Sequence, residues 1–297
     1  MKPAWLLLIL LSLPAVAAEP SAIDSSEHTP EHRSANSTGQ HSVEIAVAEA
    51  EAAVARAPDR PEPLLVLAEA HRARIPHSSR YRQLLIAHRI KDTLEAAVAR
   101  EGRPGEAHLA LLRFHLRAPV LAGGSTSEAR RLHVRIAAVG ASHDRLARGL
   151  IDREHGRLVA AIGHFRSALA DLDHDPALRR LAQRWLGTSL IEAGEHRQAA
   201  ELYTAAVAAD PEFADAWFGL GLIASETGER LDQGVTALHR YLRFPPRPGR
   251  PGPEQAHFRL GLIYGHMAFA EQARNQLQLA LTLDPDLDEA HQALDRL

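Results

Sequence analysis

The chain has 297 residues, 34 basic against 37 acidic, for a formal net charge of -3 at pH 7. That balance gives no case for a nucleic-acid binder, which needs a basic surface to meet phosphate. Cysteine is absent, which excludes a disulfide framework, thiol chemistry and the lipid-attachment cysteine of a bacterial lipoprotein; low aromatic content with many Ala and Leu favours helices over strands.

Residues 1–18 read as a cleavable secretory signal. Lys2 supplies the positive start, Trp5 to Leu13 an apolar stretch, and Pro14-Ala15-Val16-Ala17-Ala18 a small-residue exit, with cleavage expected after Ala18. The apolar run is shorter than the ~20 residues of a spanning helix. No second run of that length follows, so no integral membrane segment is expected after cleavage. Lys91 is the one lysine beyond the signal. That arginine bias points to a GC-rich genome and, with the signal, to a Gram-negative periplasm.

Residues 19–41 are rich in Ser, Thr, Pro, Glu and His without an apolar period, and are expected to be a disordered linker. Within them, His28-Thr29-Pro30-Glu31-His32 matches the H-x-x-E-H pattern of inverted zinc peptidases. Pro30 removes a backbone donor where that chemistry needs a rigid helix. His28/His32 is also the one i, i+4 pair among 18 scattered histidines, so no metal and no cofactor is expected.

From 42 to 140 a helical period is present but irregular, broken at Pro58, Pro61, Pro76, Gly102, Pro119, Gly123-Gly124 and Gly140. Ser125 or Thr126 offers a helix N-cap, with Glu128 placed for a capping box. Basic residues outnumber acidic ones from 72 to 135, whereas 19–69 is acidic. Arg72, Arg74, Arg80, Arg82, Arg89 and Lys91 form a candidate basic face, with no acid before Asp92.

From 141 to 297 a fuller pattern emerges. Leu186-Gly187 is followed by Gly194, Ala199, Tyr203, Ala206 and Asp210-Pro211; Leu260-Gly261 by Tyr264, Ala273, Leu277, Ala280 and Asp284-Pro285; Leu220-Gly221, with Trp217 just before it, marks a third block. Gly at a contact position lets two helices approach, and a large residue opposite fills the space. Trp217, Tyr203 and Phe165 are therefore expected in the core. Gly194 and Gly228 suit left-handed caps of first helices. Pro211 and Pro285 are expected to open the next helix. Gly221→Ala is expected to be tolerated.

Large–small pairs of successive second helices fall at Ala50/Ala53, Leu94/Ala97, His133/Ile136, Phe165/Ala168, Tyr203/Ala206, Leu238/Tyr241 and Leu277/Ala280. Pro245 to Pro253 cannot be helix or strand and is expected as an extended, exposed loop. A capping helix is expected between 286 and 297.

These blocks resemble the tetratricopeptide repeat, a 34-residue helix–turn–helix unit. The resemblance implies an all-α, right-handed α-solenoid of stacked hairpins with a concave groove lined by first helices. Carried onto this chain, groove positions fall at Arg184/Thr188, Phe218/Leu222 and Phe258/Leu262. Those positions lack the Lys and Asn with which chaperone-tail-binding members clamp a carboxylate, and two of the three pairs are apolar, which suits a protein or peptide partner. There is no nucleophile elbow, phosphate loop or compact carboxylate pair. The chain reads as a non-enzymatic periplasmic scaffold or adaptor. The alternative is an envelope-surface protein whose basic face at 72–91 meets anionic lipid or another polyanion.

Overall fold

The computed structural model describes residues 30–297 apart from Asp173, with side chains from Val43 onward. The expected signal at 1–18, the stretch to residue 29 and the first two residues of the H-x-x-E-H motif lie outside the described residues. Among the described residues the long elements are fourteen helices: α1 (Pro30–Arg56), α2 (Pro61–Ala73), α3 (Arg80–Arg100), α4 (Glu106–Arg117), α5 (Thr126–Ala137), α6 (Ala141–Glu154), α7 (Leu158–Leu169), α8 (Pro176–Glu192), α9 (His196–Ala209), α10 (Ala214–Thr227), α11 (Leu231–Tyr241), α12 (Pro253–His266), α13 (Ala270–Leu283) and α14 (Asp288–Leu294). Each packs against the next in chain order. The even-numbered helices also reach one another, α2 with α4, α4 with α6 and α8, α8 with α10, α10 with α12, and no comparable set joins the odd-numbered ones. The stack therefore curves with the even helices inside. It is an all-α solenoid of helical hairpins, α2/α3 through α12/α13, led by α1 and capped by α14.

In each of the last four hairpins one glycine sets the spacing within it. A Cβ on Gly149 would lie 2.4 Å from the Phe165 ring, on Gly187 2.2 Å from Tyr203, on Gly221 2.2 Å from Leu238 and on Gly261 2.7 Å from Leu277. Each first helix is bare where the large residue of its second helix lands. The Tyr203 ring also faces Gly219 of the following hairpin, where a Cβ would meet it at 2.3 Å. Tyr203 thus fills a slot between two glycines and joins α8 to α10. Apolar burial then runs as one cluster from Ala68 to Ala237, with smaller clusters around α10–α12 and α12–α14.

Gly194 and Gly228, expected to cap first helices, do so with φ of +78° and +70°, and Gly156 does the same after α6 with φ +75°. In the last hairpin Ala268 takes this place with φ +60°, and Phe269 N–H reaches back to the Tyr264 carbonyl at 2.9 Å as Glu195 does to Leu190 at 2.8 Å.

Several expectations change. The backbone of residues 30–41 is helical rather than linker, because Pro30 opens α1 and no proline follows until Pro58. Trp217 is half-buried, its indole N–H donating to the Pro211 carbonyl at 2.9 Å; Tyr203 already fills the space beside the glycines. The buried tryptophan is Trp185, 3% exposed and against Phe165. Pro211 and Pro285 sit in turns, and α10 and α14 begin three residues after each. Ser125 does cap α5, its hydroxyl accepting from Glu128 N–H at 3.3 Å, but the Glu128 carboxylate turns to Arg131 instead of closing a capping box.

Gly221→Ala should be destabilising, because the added methyl meets the Cγ of a fully buried Leu238. A loss of ~1–3 kcal/mol is expected in denaturant unfolding. Combination with Leu238→Ala should cost less than the sum of the single changes, as contacting sites do. Strict additivity would show the two do not touch. Ala268→Gly should raise the melting temperature, recovering the ~1 kcal/mol that a left-handed non-glycine costs.

Candidate functional site

The inner face is where the even helices bring charged side chains together. Glu69 on α2 accepts from Arg72 Nε at 2.6 Å on one oxygen and from Arg113 Nη2 of α4 at 2.9 Å on the other. Burial by itself would raise the Glu69 carboxyl, but the two guanidiniums outweigh it and hold it below its ordinary value. Further along, Asp215 of α10 lies 3.8 Å from Arg184 Nη1 of α8. Arg184 is near enough to act electrostatically on Glu69, Arg113 and Glu106. Burial raises the Glu106 carboxyl, with Arg184 only partly offsetting it. Four helices thus contribute to one ionic lining.

The loop between α11 and α12 lies on this lining. Pro248-Gly249 form its turn: Arg250 N–H bonds to the Arg247 carbonyl at 3.1 Å, and Gly249 has φ +83°, the geometry a Pro-Gly pair favours. The turn brings Gly249 onto Glu69, where a Cβ would come within 2.8 Å of Oε2. Arg250 Nη2 pairs with Asp215 Oδ2 at 3.2 Å. The Tyr241 hydroxyl donates to the Pro251 carbonyl at 2.5 Å; burial, with Asp215 nearby, pushes that hydroxyl's pKa up, so it stays a donor. The expected exposed loop is present, with Pro245, Pro246, Arg247, Gly249 and Pro251 open to solvent, and it also touches Glu69 and Asp215 on the inner face.

Of the expected groove residues, Arg184 stands within the ionic lining. Thr188 is one turn on, half-buried, its hydroxyl donating to the Arg184 carbonyl at 2.9 Å. Phe218 packs on Tyr241 with ring centroids 5.1 Å apart, and Leu222 is half-buried. Phe258 is a correction: at 7% exposure it is core, packed with Leu277, Ala280, Leu287 and Ala290, with Leu262 beside it. The reason is α14, which folds over this end of α12 and covers it. Phe218 and Phe258 therefore belong to different clusters and form no single apolar strip.

The expected basic face also divides. Arg72 points inward to Glu69, Arg74 pairs with Glu44 of α1 at 2.9 Å, and Lys91 with Glu95 at 2.9 Å. Arg80, Arg82 and Arg89 remain exposed on α3 without a carboxylate in ion-pair range among the described residues. Glu69, Arg113, Asp215, Tyr241 and Arg250 are the inner-face residues that sequence reasoning missed. Glu69 and Arg113 fall in hairpins too irregular to align, and the loop's inward fold has no local signal. Among the described residues no cluster of three or more His, Cys, Asp or Glu is arranged to hold a metal, and no helix is long and apolar enough to cross a membrane.

Residues 186–251 match the tetratricopeptide repeat family. No curated protein matches the sequence. Among solved structures, the chain is similar to one from the APC/C hetero-tetramer Cut9-Hcn1, with TM-score 0.52, 16% identity and 88% of this chain covered. It spans 46% of that chain's length, and the likeness concerns the fold. Weaker likenesses are to YrrB, a TPR protein with an unusual peptide-binding site (TM-score 0.45, 17% identity, 84% and 98% of the two chains covered), and to Pseudomonas aeruginosa pilF (TM-score 0.49, 16% identity, 77% and 98% covered). The family match covers residues 186–251, and the likeness to the Cut9-Hcn1 structure extends the solenoid fold over most of the chain.

A carboxyl held below its ordinary value stabilises the fold above its unfolded pKa, and that contribution is lost as pH falls through the folded value. Glu69→Gln should therefore lower the denaturation midpoint at pH 7. The gap from the unaltered protein should close as pH drops below about 4.3, the ordinary glutamate value. A gap independent of pH would mean the carboxylate charge is not what Arg72 and Arg113 use.

Proposed function

We propose that this tetratricopeptide-repeat chain is a non-enzymatic periplasmic scaffold that holds an extended segment of a partner protein along its inner face. The observation that carries the reading is the ionic lining itself. Glu69, Arg113, Arg184 and Asp215 converge from four even helices, although charged side chains cost free energy when crowded away from bulk water. Stability alone would be served as well by apolar packing. A lining of paired charges and a tyrosine hydroxyl suits polar recognition of a backbone and its side chains. The repeat family supports the class, since stacked hairpins present extended concave surfaces for binding. Export rests on the N-terminal signal pattern, Lys2 through Ala18.

A photo-crosslinking residue at Thr188, on the inner face, should capture a partner in the cell of origin. The same residue at Val159, 85% exposed on α7, should not. Equal capture from both positions would place binding elsewhere. This chain, isolated from the same cells, should begin at Glu19 by intact mass and fractionate with periplasmic contents; an N-terminus at Met1 in the cytoplasmic fraction would remove the export reading.

A further inference from the structure

We propose that Gly249-Arg250-Pro251 is an internal occupant of the partner site, and that the partner segment this face fits is a proline- and glycine-rich stretch with an arginine at its centre. The proposal rests on the inner face being the binding face and adds what that face reads and what keeps it covered.

Three contacts define the tripeptide. Gly249 is small where Glu69 leaves no room, since a Cβ there would stand 2.8 Å from Oε2 and 3.1 Å from Glu69 Cβ. Arg250 places its guanidinium 3.2 Å from Asp215, closer than the 3.8 Å of Arg184, the other cation on that carboxylate. The Pro251 carbonyl accepts from the Tyr241 hydroxyl, whose ring is fixed by Phe218. A small residue, a cation and a carbonyl acceptor are thus each met by a different element: α2, α10 and α11. Pro248 before the tripeptide and Pro251 within it restrict the backbone, so the turn is held at low entropic cost.

These elements would fold without the loop. The hairpins α10/α11 and α12/α13 pack on each other directly, so a connection of any flexible sequence would satisfy the stack. The loop instead carries Arg-Pro-Gly twice, at 247–249 and 250–252, and reaches across the solenoid to α2. It lies against Asp215 and Glu69, which the scaffold reading assigns to the partner. A partner segment of the same chemistry displaces it by making the same three contacts. Tethering gives the loop a high effective concentration, so the free site is a minor state and apparent affinity falls by that fraction.

The test replaces residues 245–252 in the full chain with a Gly/Ser linker of equal length. A fluorescent peptide, Pro-Pro-Arg-Pro-Gly-Arg-Pro-Gly, is then titrated by anisotropy. The replaced chain should bind it about tenfold or more tighter than the unaltered chain, because the internal competitor is gone. Changing the peptide's second arginine to alanine, or its first glycine to valine, should abolish binding. Asp215→Asn in the replaced chain should do the same while helicity and melting temperature hold. Equal binding by the replaced and unaltered chains, or indifference to the arginine, overturns the proposal. Should the replaced chain not fold, Asp215→Asn in the otherwise unaltered chain serves: amide hydrogen exchange at Arg250, whose N–H bonds to the Arg247 carbonyl, should speed up by about tenfold as the loop is freed. Unchanged exchange overturns the proposal equally. A folded, replaced chain that still captures its partner at Thr188 but ignores the peptide leaves the scaffold reading standing and removes this one.

Discussion

The spacing of two helices in a hairpin depends on what stands between them, and here it is a side chain against a bare backbone. Phe165 on Gly149, Tyr203 on Gly187, Leu238 on Gly221 and Leu277 on Gly261 repeat one contact along the stack. Each brings the axes close enough for the flanking alanines, Ala168, Ala206 and Ala280 among them, to be wholly or almost wholly buried. Tyr203 carries the constraint into the next hairpin through Gly219. Because interiors are packed at crystal-like density, this contact sets the rotation from one hairpin to the next. It thereby sets which side chains of the even helices meet on the inside.

What meets there is charge. Arg113 of α4 and Arg184 of α8 are brought toward Glu69 and Asp215 by curvature, not by neighbourhood in sequence. Both Glu69 oxygens are taken by guanidiniums, so the carboxylate is compensated where a lone one would be costly. The loop at 245–252 completes the lining from the far end of the stack, tying the approach to α12 back to α2. A Pro-Gly turn does this with little conformational freedom to lose. Rigidity in the loop and compensation in the lining are consistent with a face built to exchange one arginine-bearing segment for another.

The C-terminal end shows why position in a repeat is an incomplete guide to exposure. Phe258 and Leu262 stand at positions that face the groove in a continuing solenoid. Here α14 follows and places Leu287 and Ala290 against Phe258, turning a groove position into core. The two members of the Phe218/Leu222 pair remain half-buried, because α12 leaves them partly uncovered. At the other end, Arg72 and Arg74 are two residues apart yet face Glu69 and Glu44 on different sides of α2. A run of like charge in sequence is spread around a helix by its 3.6-residue turn.

Local physics was legible from the sequence. The left-handed Gly194 and Gly228, the buried Phe165 and Tyr203 and the Ser125 cap all depend on residues within one hairpin, and they stood where the sequence pattern placed them. The seven second-helix pairs likewise fell on α1 and the odd helices after it. Tertiary structure alone decided Trp217's place at the rim, the covering of Phe258, the splitting of the basic run and the meeting of Glu69, Arg113 and Arg250. Each of these turns on contacts between residues far apart in the chain. Such contacts are set by the summed rotation of several hairpins, and no single window of sequence contains that sum.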